Sequence, residues 1–129
     1  MKDASEIKIL VVEDDIPMRD LVKKILEKHE YRVVEAGDGE EALACLHDSP
    51  EVALIITDIR MPRKTGMALL KDVVKTRPEV RVILITGFGE VEEYLDAMNI
   101  GAFEYLNKPF KNQQLLDVVK RALASKINA

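Results

Sequence analysis

The sequence predicts an α/β domain: a doubly wound parallel sheet of five strands with five helices on its two faces. Three observations predict it. Five short apolar runs alternate strictly with five stretches of helical periodicity, the pattern of strand–helix–strand units in a parallel sheet. The run at 53–57 is continuously apolar, as a strand buried on both faces requires. The 129 residues, 47% hydrophobic and 33% charged, suit one folded domain rather than a disordered chain. Apolar runs stop at about six residues, whereas a membrane span needs roughly 20.

The elements follow in order. Residues 7–12 form the first strand. Residues 16–29 carry Met18, Leu21, Val22, Ile25 and Leu26 at helical spacing. Residues 31–35 are a short second strand, and Gly37, Asp38 and Gly39 mark a turn before a helix over 40–47. The third strand is 53–57, and a helix over 67–76 ends at the Arg77-Pro78 turn. The fourth strand is 80–85. A helix over 91–98 closes near Gly101, a common residue just past a helix end. The fifth strand is 102–106 and the last helix 115–127. No linker, repeat or low-complexity segment interrupts this alternation, so one domain covers 1–129, with its core over about 7–123.

Charge and cysteine usage narrow the function. Nineteen basic against 23 acidic residues give a net charge of −4, without the basic footprint of a nucleic-acid-binding domain. The single cysteine, Cys45, excludes an internal disulfide or a cysteine zinc cluster and reads as a buried structural thiol. The N-terminal residues run straight into a strand without a signal-peptide pattern, so a cytoplasmic protein is expected. His29 and His47 fall near predicted helix ends, away from any site.

Doubly wound sheets bind ligands beyond the carboxyl ends of their strands, where the strand order reverses. Glu13, Asp14 and Asp15 follow the first strand, Asp58 the third, Thr86 and Gly87 the fourth, and Lys108 and Pro109 the fifth. If the first and third strands are neighbours, Glu13, Asp14 and Asp58 converge. Two carboxylates about 4 Å apart repel by about 4 kcal/mol at an effective dielectric near 20. Such a cluster needs a cation, a shared proton or a base. An all-oxygen donor set selects a hard ion, Mg²⁺ first, with Mn²⁺ or Ca²⁺ as substitutes. Lys108 and Thr86 suit a phosphoryl oxygen, and Asp58 is the candidate nucleophile for an acyl phosphate. Asp15, just before Pro17, also reads as a helix cap.

At these residues the sequence resembles the receiver domain of two-component response regulators, over about residues 7–123. The resemblance rests on five motifs. They are the apolar run ending in Glu13, Asp14 and Asp15; Asp58 followed by Met61, Pro62 and Gly66; Thr86-Gly87; Tyr105; and Lys108-Pro109-Phe110. It implies a flavodoxin-like fold with strand order 2-1-3-4-5. It implies that Asp58 accepts a phosphoryl group from a histidine kinase or phosphotransfer protein. Asp14, Asp58 and the backbone carbonyl of Arg60 would hold Mg²⁺, with Glu13 acting through water. Lys108 would pair with Asp58, Thr86 would move toward the phosphoryl group, and Tyr105 would change rotamer. A cis Lys108-Pro109 peptide is expected by the same analogy. Such a domain catalyses only its own phosphorylation and dephosphorylation.

The switching surface would be the fourth helix, fifth strand and fifth helix. There lie an acidic stretch with Glu90, Glu92, Glu93 and Asp96 and a basic stretch with Lys111, Lys120, Arg121 and Lys126, read either as two solvated helix faces or as complementary faces for a partner or a second copy. A homodimer through residues 90–127, or an output partner, would use this face, with Tyr94 as an exposed anchor. Arg60 and Phe88 flank the site and could shield or orient attacking water. Two other classes fit poorly. An FMN-binding electron carrier would not place three acids where the phosphate lies, and an aspartyl phosphatase would need an acid where Arg60 stands. Residues 86–89 resemble receivers attached to transcriptional activators. The expected chain is either a single-domain regulator or a piece cut from a longer one, with no direct nucleic-acid or membrane contact.

Overall fold

The computed structural model describes residues 3–87 and 91–125. Expectations placed on Phe88, Glu90, Lys126 and Ile127 lie outside the described residues. After a short 3-10 turn, Ala4–Glu6, the elements alternate as expected. They are β1 (Lys8–Val12), α1 (Ile16–Lys28), β2 (Arg32–Ala36), α2 (Gly39–Asp48), β3 (Val52–Asp58) and α3 (Gly66–Thr76). Then come β4 (Arg81–Thr86), α4 (Val91–Ile100), β5 (Glu104–Asn107) and α5 (Asn112–Ser125). The strands form one parallel sheet in the order β2-β1-β3-β4-β5, the order expected. The chain leaves β1 for β2 on one side and reaches β3 on the other. The reversal therefore falls between β1 and β3, beside Glu13 and Asp58.

Alternation along the strands divides the core into two layers. Leu10, Val12, Ile55, Val82 and Leu84 face Ala42 and Leu46 of α2, Leu69, Leu70 and Val73 of α3, and Ala97 of α4. Ile9, Val11, Leu54, Ile56, Ile83 and Ile85 face Val22, Ile25 and Leu26 of α1 and Leu115, Val119 and Ala122 of α5. Side chains leave a strand alternately to its two faces, so the central stretches 9–12 of β1, 54–56 of β3 and 82–85 of β4 are apolar at every position and serve both layers.

Helix starts are fixed by side chains that satisfy otherwise unpaired backbone N–H groups. Asp15 accepts from the Met18 amide at 3.0 Å, with Pro17 in the first turn of α1. Asp38 accepts from the Glu41 amide at 2.9 Å, and Thr65 Oγ1 from the Ala68 amide at 3.2 Å.

Several boundaries differ from the sequence reading. β2 and β4 each begin and end one residue later than expected. β5 begins at Glu104, not at 102. The Ala102 amide donates to the Ala97 carbonyl at 3.0 Å and Gly101 adopts φ +133°, so these residues close α4. Ala102 is buried, yet its backbone belongs to the helix end. α5 begins three residues earlier than its apolar periodicity shows, because its first turn is Asn112, Gln113 and Gln114. The Lys111 amide donates to Gln114 Oε1 at 2.7 Å, which holds this polar turn in place.

Candidate functional site

The site lies at the carboxyl edge of the sheet. β1 delivers Glu13 and Asp14, and the adjacent β3 ends on Asp58. Carboxylate oxygens of Glu13, Asp14 and Asp58 lie within 4.8 Å of one another. Glu13 is buried, Asp58 half-buried and Asp14 exposed. Lys108, in the loop after β5, reaches across the edge. Its Nζ donates to Asp58 Oδ2 at 2.8 Å and to Glu13 Oε1 at 3.0 Å. The Lys108-Pro109 peptide is cis, and the Lys108 amide donates to the Thr86 carbonyl at 2.7 Å. This bond ties the lysine loop to the end of β4.

The electrostatics follow from this packing. Burial pushes Glu13 up to about 7. The Lys108 ammonium and the Asp15 amide pull it back down, while the charge of Asp58 adds to the rise. For Lys108, burial alone would lower the pKa, but its hydrogen bonds to Asp58 and Glu13 outweigh this and raise it. Lys108 is therefore charged at neutral pH. One ammonium against three carboxylates leaves the cluster anionic. All the candidate ligand atoms are oxygens, and Asp14 opens the cluster to solvent. These features fit a hard divalent cation. Asp58 Oδ1 accepts from the Arg60 amide at 3.2 Å, which turns the carboxylate toward the loop after β3.

Thr86 is buried at the last position of β4 and pairs in register with Asn107. Tyr105 is half-buried in β5, and its hydroxyl donates to Glu93 Oε1 at 2.9 Å. Tyr94 is 43% exposed, and its ring meets that of Tyr105 edge to face, with centroids 5.5 Å apart. His47 is exposed. His29 Nδ1 lies 3.2 Å from the Ile25 carbonyl on α1. The Cys45 thiol is half-buried in α2, with burial raising its pKa.

The match is with the response regulator receiver domain family, over residues 9–120. The chain belongs to that family. A receiver domain protein from Clostridium thermocellum superposes with a TM-score of 0.88 at 34% identity, covering 93% of this chain and 96% of that one. The receiver domain of NtrX from Brucella abortus gives 0.84 at 37% identity, covering 90% and 98%. The transcriptional regulatory protein CpxR of Klebsiella pneumoniae is 37% identical over 116 residues, covering 90% of this chain and 49% of CpxR. This receiver sequence thus spans about half the length of such relatives. Among the described residues of the receiver, no helix is long and apolar enough to cross a membrane.

Sequence reasoning missed several residues that shape this receiver's site. Arg19 Nη1 donates to the Glu13 carbonyl at 3.0 Å, and its Nε lies 3.4 Å from Glu35, which fixes the acidic loop from α1. Asp38, read only as part of a turn, also pairs with Arg63, whose φ is +63°. The Gly39 amide donates to the Lys64 carbonyl at 3.0 Å. These bonds fasten the loop after Asp58 to the start of α2. The Met-Pro spacing announced the loop, but nothing local in the sequence announced its anchors. Glu93 was counted only as surface charge, yet it contacts both Arg60 and Tyr105.

Proposed function

We propose that this receiver accepts a phosphoryl group on Asp58 from a phosphohistidine, in a reaction that depends on Mg²⁺ or Mn²⁺. The observation that carries the reading is the setting of Asp58. One of its oxygens is neutralised by Lys108, and two further carboxylates lie within 4.8 Å. An Asp58 oxygen attacks phosphorus, the phosphorus–nitrogen bond of the donor breaks, and an acyl phosphate forms on Asp58. Asp14, Asp58 and the Arg60 carbonyl would hold the cation, with Glu13 behind them. When bound, the cation offsets negative charge on the transferring group. Lys108 keeps its charge throughout and turns from the Asp58 and Glu13 carboxylates toward the phosphoryl oxygens. The Thr86 hydroxyl moves toward the phosphoryl group and donates to it. Tyr105 fills the space Thr86 leaves, and the α4-β5-α5 face changes for an output partner, an effector domain or a second copy. The domain is read as one unit over 1–129, acting in the cytoplasm without direct nucleic-acid or membrane contact.

Titration with beryllofluoride and Mg²⁺, followed by amide NMR, tests this reading. Saturable shifts at Thr86, Lys108 and α4 that disappear in Asp58→Asn support it. The same shifts in Asp58→Asn, or none in either protein, overturn it.

A further inference from the structure

Glu93 stands where three elements meet. Its Oε2 lies 3.6 Å from Arg60 Nη2, two residues past Asp58. Its Oε1 accepts the Tyr105 hydroxyl at 2.9 Å, and Tyr105 in turn packs edge-on against Tyr94. One carboxylate on α4 thus joins the loop after β3 to the aromatic pair at β5. The two ends of the ion pair differ in exposure. The Glu93 side chain is 20% exposed and hydrogen-bonded within the fold, whereas that of Arg60 is 52% exposed. Arg60, Glu93 and Asp14 line the same open cavity of about 530 Å³.

From this geometry, and resting on the reading of Asp58 as phosphoacceptor, we infer that Glu93 is a positioning residue for the Arg60 guanidinium. In the resting protein Glu93 holds Arg60 and neutralises it, so an anionic donor meets an acidic cluster with little help from this cation. A phosphoryl group offers the planar guanidinium two charged oxygens for bidentate hydrogen bonding, a stronger acceptor than a single carboxylate oxygen at 3.6 Å. Arg60 then exchanges Glu93 for phosphoryl oxygens. Glu93 loses one of its two partners, and Tyr105, which shares the same carboxylate, loses its fixed acceptor geometry. The contacts differ between the two states, which is the requirement for shifting a population. α4 therefore senses phosphorylation through Arg60 and Glu93 as well as through Thr86.

The test compares wild type, Glu93→Gln, Arg60→Met and the double variant. Gln keeps the acceptor for Tyr105 and removes the charge that holds Arg60. The rate of adduct formation from acetyl phosphate with Mg²⁺ should rise about 3- to 10-fold in Glu93→Gln at low ionic strength and converge with wild type in high salt. Most of that gain should vanish in the Arg60→Met background. The shift of the Tyr105 ring resonance on addition of beryllofluoride should shrink in Arg60→Met. An equal gain with and without Arg60, an unchanged rate in Glu93→Gln, or an undiminished Tyr105 shift in Arg60→Met would overturn the inference while leaving the phosphoacceptor reading intact. A wild-type protein that takes no phosphoryl group on Asp58 would overturn both.

Discussion

Gly66 opens α3 directly beneath Asp58, and replacing it with alanine tests how tightly the site's backbone is packed. A Cβ at Gly66 would lie 2.1 Å from the Asp58 carbonyl oxygen, 2.9 Å from Ile59 Cα and 3.0 Å from the Asp58 carbonyl carbon. All three are backbone atoms, so no side-chain rotation relieves the collision. The β3–α3 connection must move by about 1 Å to restore ordinary contact. Overpacking of this kind costs about 1–3 kcal/mol, and a backbone neighbour places Gly66→Ala at the upper end. Alanine's better helix propensity returns at most about 1 kcal/mol. The expected net loss is about 2 kcal/mol, a large share of a stability of about 5–15 kcal/mol. Gly87→Ala is the control, because a Cβ there meets nothing within 4 Å, and its effect should stay within about 0.5 kcal/mol. Urea unfolding followed by far-UV circular dichroism measures both. Beryllofluoride affinity should also fall in Gly66→Ala, since the displaced carbonyl belongs to Asp58. Equal stability of the two variants would refute the reasoning.

Three further outcomes follow from the charges. Asp14→Asn should raise the melting stability of the cation-free protein by about 1 kcal/mol, by relieving repulsion at an exposed position, and should abolish the gain in Tm on adding Mg²⁺. Lys108→Met should cost about 2 kcal/mol without Mg²⁺, less than the loss of a fully buried partner, because it strands the Glu13 and Asp58 carboxylates; urea unfolding with and without Mg²⁺ reads it. The third concerns pH. Burial raises Glu13 from 4.5 to about 7, so between these values the folded state holds a proton that the unfolded state has released. Its contribution is complete below about 4.5 and lost as pH rises through about 7. Cation-free stability measured by urea across this window should therefore decline, and Glu13→Gln should flatten the decline.

The fold was legible because β1, β3 and β4 serve two core layers, which makes their central stretches continuously apolar. The site residues were legible because the doubly wound order brings the ends of β1 and β3 together. Lys108 was placed against Asp58 by family resemblance, but its second bond, to Glu13, follows from how the loop after β5 crosses the edge. Apolar periodicity could not find the start of α5, whose first turn is polar and self-bonded. Nor could it separate Ala102, whose side chain enters the core while its amide closes α4. Glu93 was hidden for a different reason. Its partners, Arg60 and Tyr105, are distant in sequence, and an acid on a helix surface looks like any other solvated charge.

The central claim is that Asp58 carries the phosphoryl group. Intact-protein mass after incubation with acetyl phosphate and Mg²⁺, beside an Asp58→Ala control, tests it most directly. The account predicts a single phosphoryl adduct on the wild-type chain that requires Mg²⁺ and is absent from the control. An adduct that persists in Asp58→Ala, or a wild-type chain that stays unmodified by acetyl phosphate and unresponsive to beryllofluoride, would contradict it.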